Sequence, residues 1–236
     1  MQVVAEETQR ISLPLLGFTF MLAFCSIVYE LLLGQTLSAF LGNTVLRYSV
    51  TIGLYMFSMG IGALLAGERI LARPALSLQY LEIALAVLGG ISVPLVFLID
   101  LLDAPVWLLS IVAHLLIIVI GLLSGLEIPL LIEVRSEVKN AASRILGVDY
   151  IGAFVGTVAF ALWFYPKLGI FATAIFTASV NALVGLLLPL YVRRYQEISI
   201  SQPMMIVQGI ILLVLLVVFL NYPTIEEAGI ELYIGK

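Results

Sequence analysis

Two carboxylates stand in stretches that otherwise read as hydrocarbon: Glu30 in CSIVYELLLGQ and Glu127 in GLEIPLLIE. A charge at the centre of a bilayer costs about 3 kcal/mol on insertion scales, so each acid needs a cation, a proton or a shallow position. Arg47 and Arg144 follow them along the chain. Pairing Glu30 with Arg47 and Glu127 with Arg144 would pin each loop to its helix. With a helix ending at Gly34, Glu30 falls in the last turn, where the helix dipole is negative and strengthens the demand for a cation. The competing chemistry is a site for a cationic ligand, held by Glu30, Glu127 and Asp149. Asp149 differs from the other two, because it falls in the first turn of its helix, where the dipole favours an acid. His114 lies about 20 Å before Glu127 along one helix, at 1.5 Å per residue; it and Asn181 read as hydrogen-bond partners of neighbouring helices. Glu82 reads as an acid that reaches the interface, and Glu133, Glu137 and Lys139 as solvated loop charges.

The elements that must position these groups follow from composition. Of 236 residues, 62% are hydrophobic and 11% charged, with a mean hydropathy of +1.18, whereas a soluble domain carries about 25% charged residues. So little polar surface cannot cover a soluble fold. The implied class is an all-α, multi-pass integral membrane protein, with the lipid bilayer as its first partner. Cys25 is the only cysteine, which excludes an internal disulfide and a cysteine-based metal cluster. There is no phosphate loop after a strand, no His/Cys/Glu set at metal spacing and no nucleophile elbow. No catalytic residue, metal or cofactor is expected in this chain, and no nucleic-acid partner.

Stretches long enough to cross a hydrocarbon core, which takes roughly 20 helical residues, run over 11–34, 48–67, 78–99, 106–132, 145–165, 168–192 and 204–220. That makes seven spans, closed by the breakers ARPALS, LIDLLDAP, YPKLG and SQP. Residues 35–47 are too polar and short to span, and read as an interfacial or re-entrant segment. Residues 221–236 form a connector. With the N-terminus inside, the cytoplasmic loops hold eight Lys and Arg (Arg10, Arg69, Arg73, Arg135, Lys139, Arg144, Arg193 and Arg194) against three outside (Arg47, Lys167 and Lys236). The excess places the N-terminus in the cytoplasm.

Glu30 and Glu127 are 97 residues apart, and so are Arg47 and Arg144. Spans one to three and four to six then read as two copies of one unit. An odd number of crossings per copy makes the copies inverted, a 3+3 repeat that puts Glu30 and Glu127 at opposite depths. Spans two and five also carry small residues on one face: Ser58, Gly62 and Ala66 in one, Gly152 and Gly156 beside Asp149 in the other. Such faces let helix backbones approach closely in lipid.

The runs CSIVYELLLGQTLSAFLGNTVLRYSVTIGLYMFSMGIGALLAG, GLLSGLEIPLL, SRILGVDYIGAFVGTVAFALWFYPKLG and ASVNALVGLL hold Tyr-Glu, Gly-x-Glu-x-Pro and Asp-Tyr-x-Gly-Ala in that order. They resemble the N-terminal membrane domain of the membrane-bound spermidine synthase-like proteins, of the polyamine aminopropyltransferase family, over nearly the whole chain. In that family a soluble α/β domain follows, which moves an aminopropyl group from decarboxylated S-adenosylmethionine to putrescine. The family's catalytic positions lie beyond Lys236, so the resemblance transfers none of them. It implies a membrane-embedded module, in a bacterial inner membrane, that anchors or partners a soluble aminopropyltransferase. It also implies that IELYIGK begins a first strand. Two other readings stand beside it: a small transporter or binding module for a polyamine or other cation, and a structural subunit of a larger membrane complex with other membrane subunits as partners.

Seven crossings from a cytoplasmic N-terminus leave the tail after Asn221 outside. A cysteine placed at Lys236 is therefore expected to react with an impermeant maleimide in intact cells. Reaction only after permeabilisation would remove the seven-crossing topology.

Overall fold

The computed structural model describes residues 12–193 and 201–235. Residue 11, where the first expected span begins, lies outside them, as do Arg10, Arg194 and Lys236 of the charge count. Among the described residues the chain is helical, without a strand. The helices are α1 (Leu13–Leu41), α2 (Thr44–Leu64), the short α3 (Glu68–Leu71), α4 (Pro74–Leu101), α5 (Val106–Val134) and α6 (Ala141–Ala159). A π-helical turn, Phe160–Phe164, joins α6 to α7 (Tyr165–Val192), followed by α8 (Gln202–Leu220) and α9 (Tyr222–Ile234).

Among the described residues, five helical stretches are long and apolar enough to cross a membrane: α1, α4, α5, the 52-residue run Ala141–Val192, and α8. The 21 residues of α2 fall outside this set; Arg47, Ser49, Thr51 and Ser58 dilute their apolar character. The long run is not straight. Gly169 has φ 73°, a left-handed conformation that suits glycine because it lacks a Cβ. Phe164 and Phe176 pack with ring centroids 5.1 Å apart, whereas 12 residues of straight helix would separate them by about 18 Å. The chain therefore doubles back at Gly169.

Two expectations about the elements are corrected, and a third gains its local structure. Residues 35–47 are not a separate segment: α1 continues to Leu41, and the whole link to α2 is Gly42 (φ 66°) and Asn43 (φ 50°). The Asn43 side chain accepts the Leu46 N–H at 3.2 Å, so a two-residue turn does what a longer segment was assigned to do. The described part of the tail IELYIGK is not a strand, because Tyr222–Ile234 is helical and among the described residues no strand is present to pair with it. Asp149 is not in a first turn, since α6 starts eight residues earlier, at Ala141.

The position of α1 organises the rest. Its buried residues include the unbroken run from Leu22 to Ser26, so it is enclosed on all faces, as a central helix must be. Gly152 and Gly156 of α6 sit against the backbone at Phe20 and Phe24, which makes α6 run alongside α1 in the same direction. With α7 the order is reversed. Ser12 bonds Tyr191, Cys25 Sγ donates to the Thr177 carbonyl at 3.7 Å, and Gln35 Nε2 donates to the Tyr165 hydroxyl at 2.8 Å. At the periphery, α8 buries only Gln208 and Leu215.

A second close crossing joins α2 to α5. A Cβ on Gly62 would fall 2.0 Å from the Leu122 carbonyl oxygen, and one on Gly125 2.0 Å from that of Met59. Ser58 is buried in this contact against Gly121. Ala66 is not part of it, because α2 ends at Leu64. Gly62→Ala should therefore destabilise the protein by about 2 kcal/mol, the order seen for overpacked cores. Gly60→Ala, two residues away with open space around its Cβ, should be neutral or stabilising by up to about 1 kcal/mol through helix propensity. Thermal melts of the two variants in detergent check the pair, and equal melting points would contradict the crossing.

Candidate cation site

Helices α1, α2, α5 and α6 enclose a cavity of about 60 Å³. Ala23, Ser26, Ile27 and Glu30 of α1 line it, with Met59 of α2, Ser124, Glu127 and Ile128 of α5, and Asp149 and Ala153 of α6. The helical period explains the choice. Ser26 precedes Glu30 by four residues and Ser124 precedes Glu127 by three, so each serine shares a helix face with its acid. Tyr55 of α2 ties the two faces together. Its hydroxyl lies 3.1 Å from Ser26 Oγ and 3.0 Å from Ser124 Oγ, and donates to the Ser26 carbonyl at 3.1 Å.

Glu30 and Glu127 are buried, with 6% and 4% exposure, and Asp149 is part-buried. Their expected partners are elsewhere. The ion pair formed among the described residues is Arg135–Glu137, and neither Glu30–Arg47 nor Glu127–Arg144 forms. The reason is helix length. Glu30 lies 11 residues before the end of α1, about 16 Å inside at 1.5 Å per residue. Arg47, the fourth residue of α2, is held at the far end by the short Gly42–Asn43 link, and its Nε has no hydrogen-bond partner. Glu127 lies seven residues before the end of α5, whereas Arg144, near the start of α6, is exposed. Glu30 and Glu127, expected at opposite depths, both face one cavity. Glu30 is a mid-helix residue once α1 reaches Leu41.

The remaining polar residues divide into two groups. His114 bonds within its own helix, with Nδ1 2.6 Å from the Ser110 carbonyl, and is not brought to another helix. Asn181 donates from Nδ2 to Glu82 Oε2 at 2.9 Å, joining α7 to α4. Glu82 therefore does not reach an interface: it is fully buried. Gln208 of α8 lies against the same place, donating to the Ala182 carbonyl at 3.0 Å, and only a glycine at 185 leaves room for it beside Glu82. The sequence signal for Gln208 was available, since it is the one polar side chain in MMIVQGIILLVLLVVFL. Ser26 and Ser124 were also findable, by their spacing from the acids. Tyr55 carried no such signal.

The fold and cleft define a class: a helical protein of membrane-length apolar helices with an acid-lined cavity between four of them. The comparisons connect that class to named relatives. The chain is 36% identical over 211 residues to the polyamine aminopropyltransferase of Leptospira interrogans, which covers 84% of this chain and 39% of that protein. It is 35% identical over 198 residues to polyamine aminopropyltransferase 1 of Streptomyces coelicolor, covering 81% and 36%. Polyamine aminopropyltransferase 2 of Ralstonia nicotianae is 34% identical over 172 residues, 70% of this chain and 33% of the relative. The chain thus matches part of a longer protein, spanning about a third to two-fifths of these curated relatives. No family model matches the chain, and no solved structure matches it significantly.

Removing Asn181 leaves both Glu82 carboxylate oxygens without a donor, because Oε1 already has none. Asn181→Leu should therefore cost about 2 kcal/mol, the penalty for a buried polar group left unmade. The double variant Glu82→Leu with Asn181→Leu should recover most of that loss, because the stranded acid is gone. Melting the single and double variants in detergent checks the coupling.

Proposed function

We propose that the chain is the membrane-embedded module of an aminopropyltransferase-type protein, performing no transfer chemistry itself and anchoring or partnering a soluble transferase. The observation that carries this reading is the coverage: 84% of the chain matches 39% of a protein named polyamine aminopropyltransferase. About three-fifths of such a relative is left for other work. The described part of this chain contributes helices of membrane length and an acid-lined cleft.

In this reading the crossings are α1, α2, α4, α5, the limbs of the chain on either side of Gly169, and α8, seven in all, in a bacterial inner membrane with the N-terminus cytoplasmic. The first six form two inverted units. Asn43 and Asn140 support that arrangement: both are left-handed residues immediately before a helix, 97 residues apart, and α2 and α6 start directly after them. The helix pairing supports the same reading, since α1 with α6 and α2 with α5 are the pairs that would exchange if the units were exchanged. Glu30 and Glu127 then lie near the axis that relates the units, where equivalent residues come to one depth. Binding sites of inverted-repeat membrane proteins lie at such a place.

Two measurements test the reading. The chain, tagged in its native cells, is expected to stay in the pellet after alkaline carbonate washing. An aminopropyltransferase activity, assayed as putrescine converted to spermidine, is expected to co-purify with it and to be absent from the chain expressed alone. Release by carbonate would remove the membrane assignment, and activity in the isolated chain would remove the division of labour.

A further inference from the structure

The cleft between α1, α2, α5 and α6 holds three carboxylates and, among the described residues, no internal cation, and its geometry identifies a ligand chemistry. We propose that it binds a primary ammonium group at the end of an aliphatic chain. This goes beyond the module reading above and stands whether or not the chain works with a transferase.

Four observations converge on it. Glu30 and Glu127 are each more than nine-tenths buried, face the cavity, and have no hydrogen bond or ion pair. A carboxylate so placed needs a proton or a cation, and among the described residues no Lys, Arg or His lines the cavity to supply one. The second observation is the row of hydroxyls beside the acids. The Tyr55 hydroxyl lies 3.1 Å from Ser26 Oγ and 3.0 Å from Ser124 Oγ, and whichever oxygen donates in each contact, each serine oxygen keeps a lone pair. The wall is therefore one of acceptors, carboxylate and hydroxyl, and an ammonium is a group of three donors and no acceptor.

The third observation separates an organic cation from a metal ion. Among the described residues no group of three or more His, Cys, Asp or Glu is placed to hold a metal, and the same cavity is lined by the apolar side chains of Ile27, Met59, Ile128 and Ala153. A bare ion gains nothing from those, whereas methylene groups do. The fourth is size. A volume of about 60 Å³ exceeds the roughly 15 Å³ that a cavity needs to hold one water-sized group, so it admits an ammonium end. The chain behind it can lie along the part-exposed wall that carries Asp149 and Ala153.

A primary ammonium can come from a free diamine or polyamine or from an ethanolamine lipid headgroup, and one experiment distinguishes them. The chain in phosphatidylcholine nanodiscs is titrated with radiolabelled putrescine by scintillation proximity. The titration is repeated with phosphatidylethanolamine in the disc, and with hexamethonium, whose quaternary ends have no N–H donors, as competitor. Saturable putrescine binding in phosphatidylcholine, not displaced by hexamethonium, is expected. Tenfold weaker binding in phosphatidylethanolamine would assign the site to the lipid headgroup as well. Asp149→Asn, on the part-exposed wall, should weaken binding at least tenfold without moving the melting temperature. Ala153→Leu, which fills the cavity and leaves every charge in place, should abolish it. The proposal fails if no saturable putrescine binding occurs and the melting temperature is the same in both lipids, if hexamethonium competes as well as putrescine, or if Ala153→Leu binds like the wild type.

Discussion

The contact on which the rest depends is the approach of helix backbone to helix backbone at two crossings, α1 with α6 and α2 with α5. At each, a glycine stands where any side chain would meet a carbonyl oxygen, at 2.5 Å for Gly152 and 2.0 Å for Gly62 and Gly125. Apolar side chains gain little by leaving a lipid-like solvent for one another, so long apolar helices are held by packing and by the few polar bonds they make. Close crossings supply the packing. They also set the distance between the polar residues carried on the same faces, because small residues leave no layer of large side chains between the helices.

The cleft is a consequence of that spacing. Ser26 and Glu30 on α1, and Ser124 and Glu127 on α5, are turned toward each other by the crossings, and Tyr55 bridges the serines. Large side chains at Gly121, Gly125, Gly152 and Gly156 would hold the four helices apart and leave three acids with no common space. The same principle operates on the far side of the bundle, where Gly185 makes room for Gln208 beside Glu82. There the small residue admits a polar side chain from an otherwise peripheral helix. The two polar clusters differ in one respect that matters for function. Glu82 is engaged by Asn181, and Glu30 and Glu127 are engaged by nothing internal.

Much of this was legible in the sequence. Composition alone gave helices and an apolar surrounding, since 11% charged residues cannot clothe a soluble fold. The prominence of Glu30, Glu127 and Asp149, and the small faces with Gly62, Gly152 and Gly156, also follow from residue type and spacing, because polar interruptions and glycines stand out against an apolar run. What the sequence could not decide was which residues meet. A carboxylate's nearest cation along the chain is not its nearest in space once a helix runs 11 residues past it, and the extension of α1 to Leu41 turned a predicted ion pair into an unpaired acid in a cleft. Glu82 was misjudged for a related reason: its depth depends on α7 and α8 packing over it, which no local pattern records. Helix ends and neighbours are tertiary decisions, made by packing across the bundle, and here they determine whether an acid is pinned, shielded or left open to a ligand.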